Sequence, residues 1–181
     1  MSMLQKPNRR QFLKGLGGVA VLSGVGGSAG AVRGRRAPKL AAQLYSIHKI
    51  FWQKPEWCLE GLKKAGYDGV EFAGYGGHSA KEIRKYLADA GLVGMGTHVN
   101  GFTELTGDGL AKTLDFCAEA GFASVTTPHA LCKDEAGYRR FGRDMSLAAE
   151  KAVPYGIKVG IHTTYDHFRV SFNGKTAWDT I

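Results

Sequence analysis

The chain of 181 residues has a net charge of +8, but its excess positive charge is confined to the N-terminus. Seven of its 24 Lys and Arg residues and no acidic residue fall in the first 36 positions, which leaves 17 basic against 16 acidic residues in the remainder. Because the remainder is almost neutral, the composition excludes a broad basic surface for nucleic acid. Three cysteines, an odd number without a CxxC pair, argue against a disulfide framework or a cysteine-based zinc site.

The first 31 residues have the pattern of an export signal that is removed from the mature chain. An arginine pair at positions 9 and 10 is followed by Phe-Leu-Lys and then by a weakly hydrophobic, glycine-rich run. The small-x-small motif Ala29-Gly30-Ala31 predicts a mature chain that starts near Val32. These features resemble a twin-arginine (Tat) signal, which implies the Tat export machinery as a partner and a periplasmic or secreted location.

The apolar run of this signal, residues 15–30, is short and rich in glycine for a membrane helix. We therefore expect cleavage and no stable membrane anchor. The chain then divides into a signal peptide (1–31), a linker (32–38) and one globular domain (39–181).

The globular part repeats a module of strand, amphipathic helix and glycine. Five strands are predicted in chain order: 39–47, 69–73, one ending at His98, one ending near Pro128-His129, and 157–163. Four helices separate them and begin near Pro55, Ser79, Leu110 and Asp134. Each helix is followed by a glycine that accepts the positive φ of a helix C-terminus: Gly66, Gly91, Gly121 and Gly156. A turn at Asn173-Gly174 and the first turn of a fifth helix at 176–181 complete the pattern.

This order of elements predicts an α/β fold with a parallel sheet. Five strands with four complete helices amount to about five βα units of a (β/α)8 TIM barrel, which typically needs ~250 residues. We therefore expect a partial TIM barrel, truncated after strand five, with open sheet edges at strands one and five. A doubly wound five-stranded sheet is the alternative, and the lack of GxGxxG or a phosphate loop after strand one disfavours it.

Ionisable residues stand at the ends of four predicted strands: Glu71, His98, His129 and His162. The carboxyl ends of parallel strands carry the chemistry of such folds, so Glu71, His98 and His162 are candidate catalytic residues and His129 a candidate substrate contact. Each has a structural alternative. Glu71 is compatible with a salt bridge, His98 and His162 with hydrogen-bonded packing, and His129 with a loop cap.

Four phrases of the globular part occur in a characteristic order and spacing: QLYS at 43–46, GYDGVEF at 66–72, GTH at 96–98 and PYGIKVGIH at 154–162. Together they resemble the sugar phosphate isomerase/epimerase family, which has the xylose isomerase-like TIM-barrel fold. The resemblance extends from about Leu40 to the last residue and implies the N-terminal half of that barrel. It also implies a small-molecule sugar substrate, for which Tyr45 and Trp52 are candidate pocket walls. Aromatic core packing is their alternative role.

The resemblance implies a divalent metal (Mn, Mg, Co or Zn) that binds adjacent sugar oxygens and assists enolisation, while carboxylates move a proton between neighbouring carbons. The family's metal ligands are Glu, Asp, His and Glu from later strands, and the position of the first alone falls within this chain. The family motif Tyr-His-Asn-His-x-x-Glu-Phe corresponds here to residues 161–168, IHTTYDHF, in which His162 and Phe168 match.

His167 stands at the position of the family's first metal-binding Glu, so His167 and the adjacent Asp166 become the candidate metal ligands. Neither reproduces the proton transfer of that Glu. With the later strands also missing, the sequence leaves open an active exported isomerase/epimerase or an inactive truncated form.

Two further hypotheses stay open. One is a metal phosphodiesterase like endonuclease IV, which shares this barrel; the near-neutral charge and the export signal count against it. The other is a non-catalytic half-barrel that forms a homo-oligomer by pairing its open sheet edges.

Overall fold

The computed structural model describes residues 39–128 and 132–181. The predicted signal peptide, the linker up to residue 38 and His129 lie outside the described residues. None of the described helices is both long and apolar enough to span a membrane.

Five parallel strands form one sheet in the order of the chain. They are β1 (Ala41–Gln43), β2 (Gly69–Ala73), β3 (Val93–His98), β4 (Ser124–Thr127) and β5 (Lys158–Ile161). Sequential order with right-handed crossovers places the intervening helices on one side of the sheet, as in a barrel. A doubly wound sheet requires a reversal of strand order, so the structure confirms the partial TIM barrel. Within the described residues, β1 and β5 each have a single neighbouring strand.

Four long helices connect the strands: α1 (Pro55–Lys64), α2 (Ala80–Ala90), α3 (Gly107–Ala120) and α4 (Glu135–Ala152). The predicted capping box of α2 is present, because Ser79 accepts from the Glu82 N–H and Glu82 accepts from the Ser79 N–H. Gly91 and Gly121 follow α2 and α3 with φ of 63° and 83°, so these helix ends need glycine as predicted.

The first strand is shorter than the sequence predicts. It ends at Gln43, and the chain then turns through a 3-10 helix, Leu44–Ile47, and a short α-helix, His48–Phe51. The side-chain oxygen of Gln43 accepts a hydrogen bond from the Tyr45 N–H. This local bond competes with strand pairing, and burial of Leu44 and Phe51 stabilises the turn. Strands four and five are also shorter than predicted, ending at Thr127 and Ile161.

The apolar core lies between the sheet and the helices. Val70 and Phe72 of β2 and Val125 of β4 are fully buried on this side of the sheet. The Phe72 ring contacts Phe122 with a centroid distance of 5.2 Å. Because side chains alternate along a strand, the other face of each strand points to the inside of the partial barrel.

The segment after β5 contains a short helix, Asp166–Arg169, a hairpin of Ser171–Phe172 with Lys175–Thr176, and a last helical turn, Ala177–Thr180. The hairpin turns at Asn173 and Gly174, both with positive φ, which confirms the predicted turn.

Candidate active site

An open pocket of about 920 Å³ lies at the carboxyl ends of the strands. Every strand of the sheet, or the loop that follows it, contributes to its lining: Gln43, Tyr45, Ser46, Glu71, Ala73, Gly74, His98, Val99, Asn100, Thr126, Ile161, His162 and Thr164. The three residues predicted to be catalytic, Glu71, His98 and His162, therefore meet in one pocket, although up to 91 positions separate them in the sequence.

Glu71 lies inside a strand and not at its tip. Its neighbours Val70 and Phe72 are buried on the helix side, so alternation turns the Glu71 carboxylate to the pocket side. The energetic cost of burying the carboxylate is limited, because the Glu71 side chain retains 30% of its solvent exposure and contacts His98.

A bulge in β3 determines which residue of that strand enters the pocket. The pairing of β2 with β3 runs Val70 to Gly94 and then Glu71 to Gly96, so that Met95 is skipped. After the bulge, Ala73 pairs with His98, and both line the pocket. Neighbouring residues of a parallel sheet point to the same face, so an uninterrupted register would have placed Thr97 on the pocket side and His98 in the core.

Glu71, His98 and His162 form a chain of polar contacts along the pocket wall. The Oε1 atom of Glu71 lies 3.3 Å from Nε2 of His98, and Nδ1 of His98 lies 3.4 Å from Nδ1 of His162. The two imidazole rings meet edge to face, with a centroid distance of 5.0 Å. His98 thus uses both ring nitrogens, one toward a carboxylate and one toward a second imidazole.

This arrangement limits the positions of the protons. An ionised Glu71 can only accept, so His98 carries a hydrogen on Nε2. When His98 is neutral, its Nδ1 is an acceptor and His162 must donate from Nδ1. When His98 gains a proton, its Nδ1 donates and His162 accepts. The two states differ by one proton, which gives the chain the chemistry of an acid–base relay.

Uncharged side chains form much of the remaining wall. Tyr45 is 66% exposed, and its ring stacks on His48 with a centroid distance of 4.6 Å. Asn100, Thr126 and Thr164 add neutral donors and acceptors. These three were not predicted as site residues. For Asn100 one signal was present in the sequence, because it follows His98 by two positions. Thr126 is placed beside His98 only by the sheet register.

Three predicted site residues do not line this pocket. The ring of Trp52 packs against Phe51, Phe72 and His78, as in its alternative role in aromatic packing. Asp166 begins the short helix beyond the pocket. His167 is fully buried, and its Nδ1 accepts a hydrogen bond of 3.0 Å from the Thr164 N–H, so it supports the backbone of a pocket residue.

The described residues do not by themselves fit a divalent metal. They contain no cluster of three or more His, Cys, Asp or Glu side chains with the geometry to hold one. In His167, the predicted ligand, Nδ1 is occupied by the hydrogen bond from Thr164. His98 and His162 bring two imidazole nitrogens together, whereas protein zinc sites use at least three protein ligands.

A family model described as xylose isomerase-like TIM barrel matches residues 59–181 of this chain. None of the curated proteins matches the sequence significantly. A sugar phosphate isomerase/epimerase from Parabacteroides distasonis is similar in structure, with 23% identity, a TM-score of 0.63, and coverage of 75% of this chain and 55% of that protein.

Two further solved structures are similar. An AP endonuclease of family 2 from Brucella melitensis has 20% identity and a TM-score of 0.56, with coverage of 68% of this chain and 54% of that protein. The IOLI protein with a bound zinc atom has 16% identity and a TM-score of 0.48, with coverage of 68% and 51%. The likeness to the Parabacteroides and Brucella proteins shows a shared fold, and the chain spans about half the length of each of them.

Proposed function

Because the chain belongs to the xylose isomerase-like TIM barrel family, we propose that it is an isomerase or epimerase that moves a proton at adjacent carbons of a sugar-type substrate. The observation that carries the proposal is the contact chain Glu71–His98–His162 on the wall of one pocket. General acid–base groups of this kind typically contribute about 10²–10⁴-fold to proton transfer.

The proposed reaction begins at a C–H bond next to a sugar carbonyl. His162, which is exposed, removes the proton, and the electrons of the C–H bond form an enediolate. His98 shares the positive charge, and the Glu71 carboxylate stabilises it. Return of the proton to the neighbouring carbon, with transfer of the remaining hydroxyl proton to the enediolate oxygen, gives the isomer. Protonation of the original carbon on its opposite face by solvent water, while His162 releases its proton to solvent, gives the epimer. Tyr45 offers an exposed aromatic face to the apolar side of the sugar ring.

The test is exchange of the substrate proton with solvent. The purified chain is incubated in D₂O with ketoses and aldoses, and deuterium next to the carbonyl is measured by NMR. We expect exchange by the wild type and a loss of at least about 100-fold in His162→Gln. His78→Gln is the matched control, because His78 stacks on Trp52 outside the pocket lining. Absence of exchange with every sugar would overturn the proposal.

The proposal includes a divalent metal (Mn, Mg, Co or Zn) that would bind the sugar oxygens and assist enolisation. The described residues contain no cluster of three or more His, Cys, Asp or Glu side chains for a metal, so the proposal needs ligands outside the described residues. Elemental analysis of the purified protein tests this. A bound metal whose removal by a chelator abolishes exchange supports it, and a metal-free protein that still catalyses exchange contradicts it.

We also propose that the protein is exported through the Tat route and acts in the periplasm or outside the cell. The arginine pair at positions 9 and 10 and the glycine-rich run 15–30 support this. Replacing both arginines by lysine should retain the protein in the cytoplasm in a fractionation experiment. The wild-type mature N-terminus should lie near Val32, and an unprocessed cytoplasmic wild type would contradict the proposal.

A non-catalytic half-barrel that pairs through its sheet edges is the second candidate. The open outer edges of β1 and β5 in the described sheet support it. Light scattering of the purified mature chain tests it. A catalytically silent oligomer would favour this candidate, and a compact monomer would remove it.

A further inference from the structure

Both asparagines of the predicted globular domain are followed by glycine, as Asn100-Gly101 and Asn173-Gly174. In such a pair the backbone nitrogen of the glycine can attack the side-chain amide carbon of the asparagine, because glycine has no Cβ to obstruct the approach. Asparagine is accordingly among the thermally labile residues of proteins. Both asparagine side chains are exposed, so exposure alone does not decide which of the two pairs reacts.

The Asn100-Gly101 pair is held by a carboxylate. Oε1 of Glu104 accepts hydrogen bonds from the Asn100 N–H at 3.0 Å and from the Gly101 N–H at 3.2 Å. The Glu104 carbonyl oxygen accepts a bond of 2.7 Å from the Thr113 hydroxyl, which ties this segment to α3. Attack by the Gly101 nitrogen would break its bond to Glu104 and remove its proton beside a negative charge. These contacts therefore disfavour reaction at Asn100.

The Asn173-Gly174 pair forms the tip of the hairpin. Both residues are exposed, with φ of 50° and 82°, and the strands that flank them pair through two residues each. Because a two-stranded hairpin of this length is marginally stable, we expect its tip to open locally at little cost in free energy. Opening lets the Gly174 nitrogen approach the amide carbon of Asn173.

The Asn173 side chain joins the hairpin to the first turn of α4. Its Nδ2 atom donates to Oε2 of Glu135 at 3.3 Å, and Oε1 of Glu135 accepts from Arg139. The Phe172 ring meets the Tyr138 ring of α4 with a centroid distance of 5.8 Å. A carboxylate in place of the Asn173 amide would lose the donor and face the Glu135 carboxylate, so repulsion would push the tip away from α4.

We propose that Asn173 is a site of spontaneous deamidation and that the carboxylate it produces loosens the hairpin from α4. The Gly174 nitrogen loses its proton to water and forms a bond to Cγ of Asn173. The Cγ–Nδ2 bond breaks, and Nδ2 takes up a proton and leaves as ammonia, which gives a cyclic imide. Water opens the imide, at the new bond to give aspartate or at the backbone carbonyl to give isoaspartate. The reaction consumes one water molecule and releases one ammonia.

The test compares the two asparagines within one sample. The purified full-length protein is incubated at mildly alkaline pH, and peptide mass spectrometry follows the gain of about 1 Da at each site. We expect Asn173 to react at least about tenfold faster than Asn100, the factor that one hydrogen bond to a charged group provides. In guanidinium chloride the two rates should converge. Equal rates in the folded protein, a faster Asn100, or a difference that persists after unfolding would overturn the proposal.

Glu104→Ala isolates the contact that protects Asn100. It removes the acceptor of both N–H groups and should accelerate deamidation at Asn100 by about tenfold. The rate at Asn173 in the same molecules is the internal control and should not change. An unchanged Asn100 rate in the folded variant contradicts the protection, and the wild-type comparison remains decisive if this variant does not fold.

Asn173→Asp reproduces one product and tests the effect on the hairpin. Hydrogen exchange of the hairpin amides should become about fivefold to tenfold faster, the factor expected for two unit charges at this separation in water. Adding Glu135→Gln to this variant removes the repulsion and should restore slow exchange. Exchange at the wild-type rate in Asn173→Asp would overturn the loosening of the hairpin.

Discussion

Replacing Glu71 by Gln distinguishes a catalytic carboxylate from a structural salt bridge. The change keeps the size of the side chain and an acceptor oxygen toward His98, but it removes the negative charge. In the structure, the Oε1–Nε2 distance is 3.3 Å, and the side chains of Glu71 and His98 retain 30% and 21% of their exposure. For such a solvent-accessible pair the expected loss of unfolding free energy is about 0.2–1 kcal/mol, a few degrees in melting temperature.

The expected loss of function is much larger. Without the charge, Glu71→Gln no longer stabilises a proton on His98, and proton exchange in D₂O should fall by at least about 100-fold. Exchange kinetics and thermal unfolding are measured on the same preparation, and ¹⁵N chemical shifts report the protonation of His98 and His162. Glu60→Gln is the matched control, because Glu60 pairs with Lys64 on the outer surface of α1. A variant that melts several degrees lower but exchanges at the wild-type rate would refute the reasoning and leave Glu71 with a structural role.

Three further predictions concern stability. Gly96→Ala should lower the unfolding free energy by about 1–3 kcal/mol in urea titrations, because its Cβ would lie 2.6 Å from the Ser124 carbonyl oxygen. Gly61→Ala is the matched substitution in open space on α1 and should raise the unfolding free energy by about 0.5–1 kcal/mol. Changes of the opposite sign would contradict the packing argument. Burial raises the pKa of the Cys117 thiol from 9.0 to about 11. The contribution of the neutral thiol to the free energy of unfolding is therefore complete below pH 9, and up to about 3 kcal/mol is lost as the pH rises toward 11. Denaturation at pH 8 and 11 should show this loss in the wild type and a smaller one in Cys117→Ala. Ser79→Ala should cost about 1 kcal/mol by removing the α2 cap, and unchanged thermal unfolding would count against that cap.

The candidate site was predictable in part because polar residues interrupt otherwise apolar strands. Glu71, His98 and His162 could be selected in this way, and the structure brings them to one pocket. Thr126 could not, since neutral polar residues are common at strand ends and only the sheet register places it beside His98.

Trp52 and His167 show the limit of the same argument. Position near a strand end indicates where the backbone leads but not where a side chain points. Trp52 turns to the aromatic residues Phe51 and Phe72, and His167 turns inward to the Thr164 N–H. Some of the packing partners are distant in the sequence, because Phe72 contacts Trp52 and the Tyr138 ring lies 6.1 Å from that of His167.

The sequence by itself determined the parallel α/β architecture, because apolar strands, amphipathic helices and helix-ending glycines recur in an order that only βα units satisfy. It also determined which ionisable residues stand near the carboxyl ends of the strands. The tertiary structure decided which of them face the same space. The bulge that skips Met95 reverses the alternation of β3 and turns His98, not Thr97, toward Glu71. A shift of one residue in register exchanges the two faces of a strand, and no local pattern in the sequence specifies it.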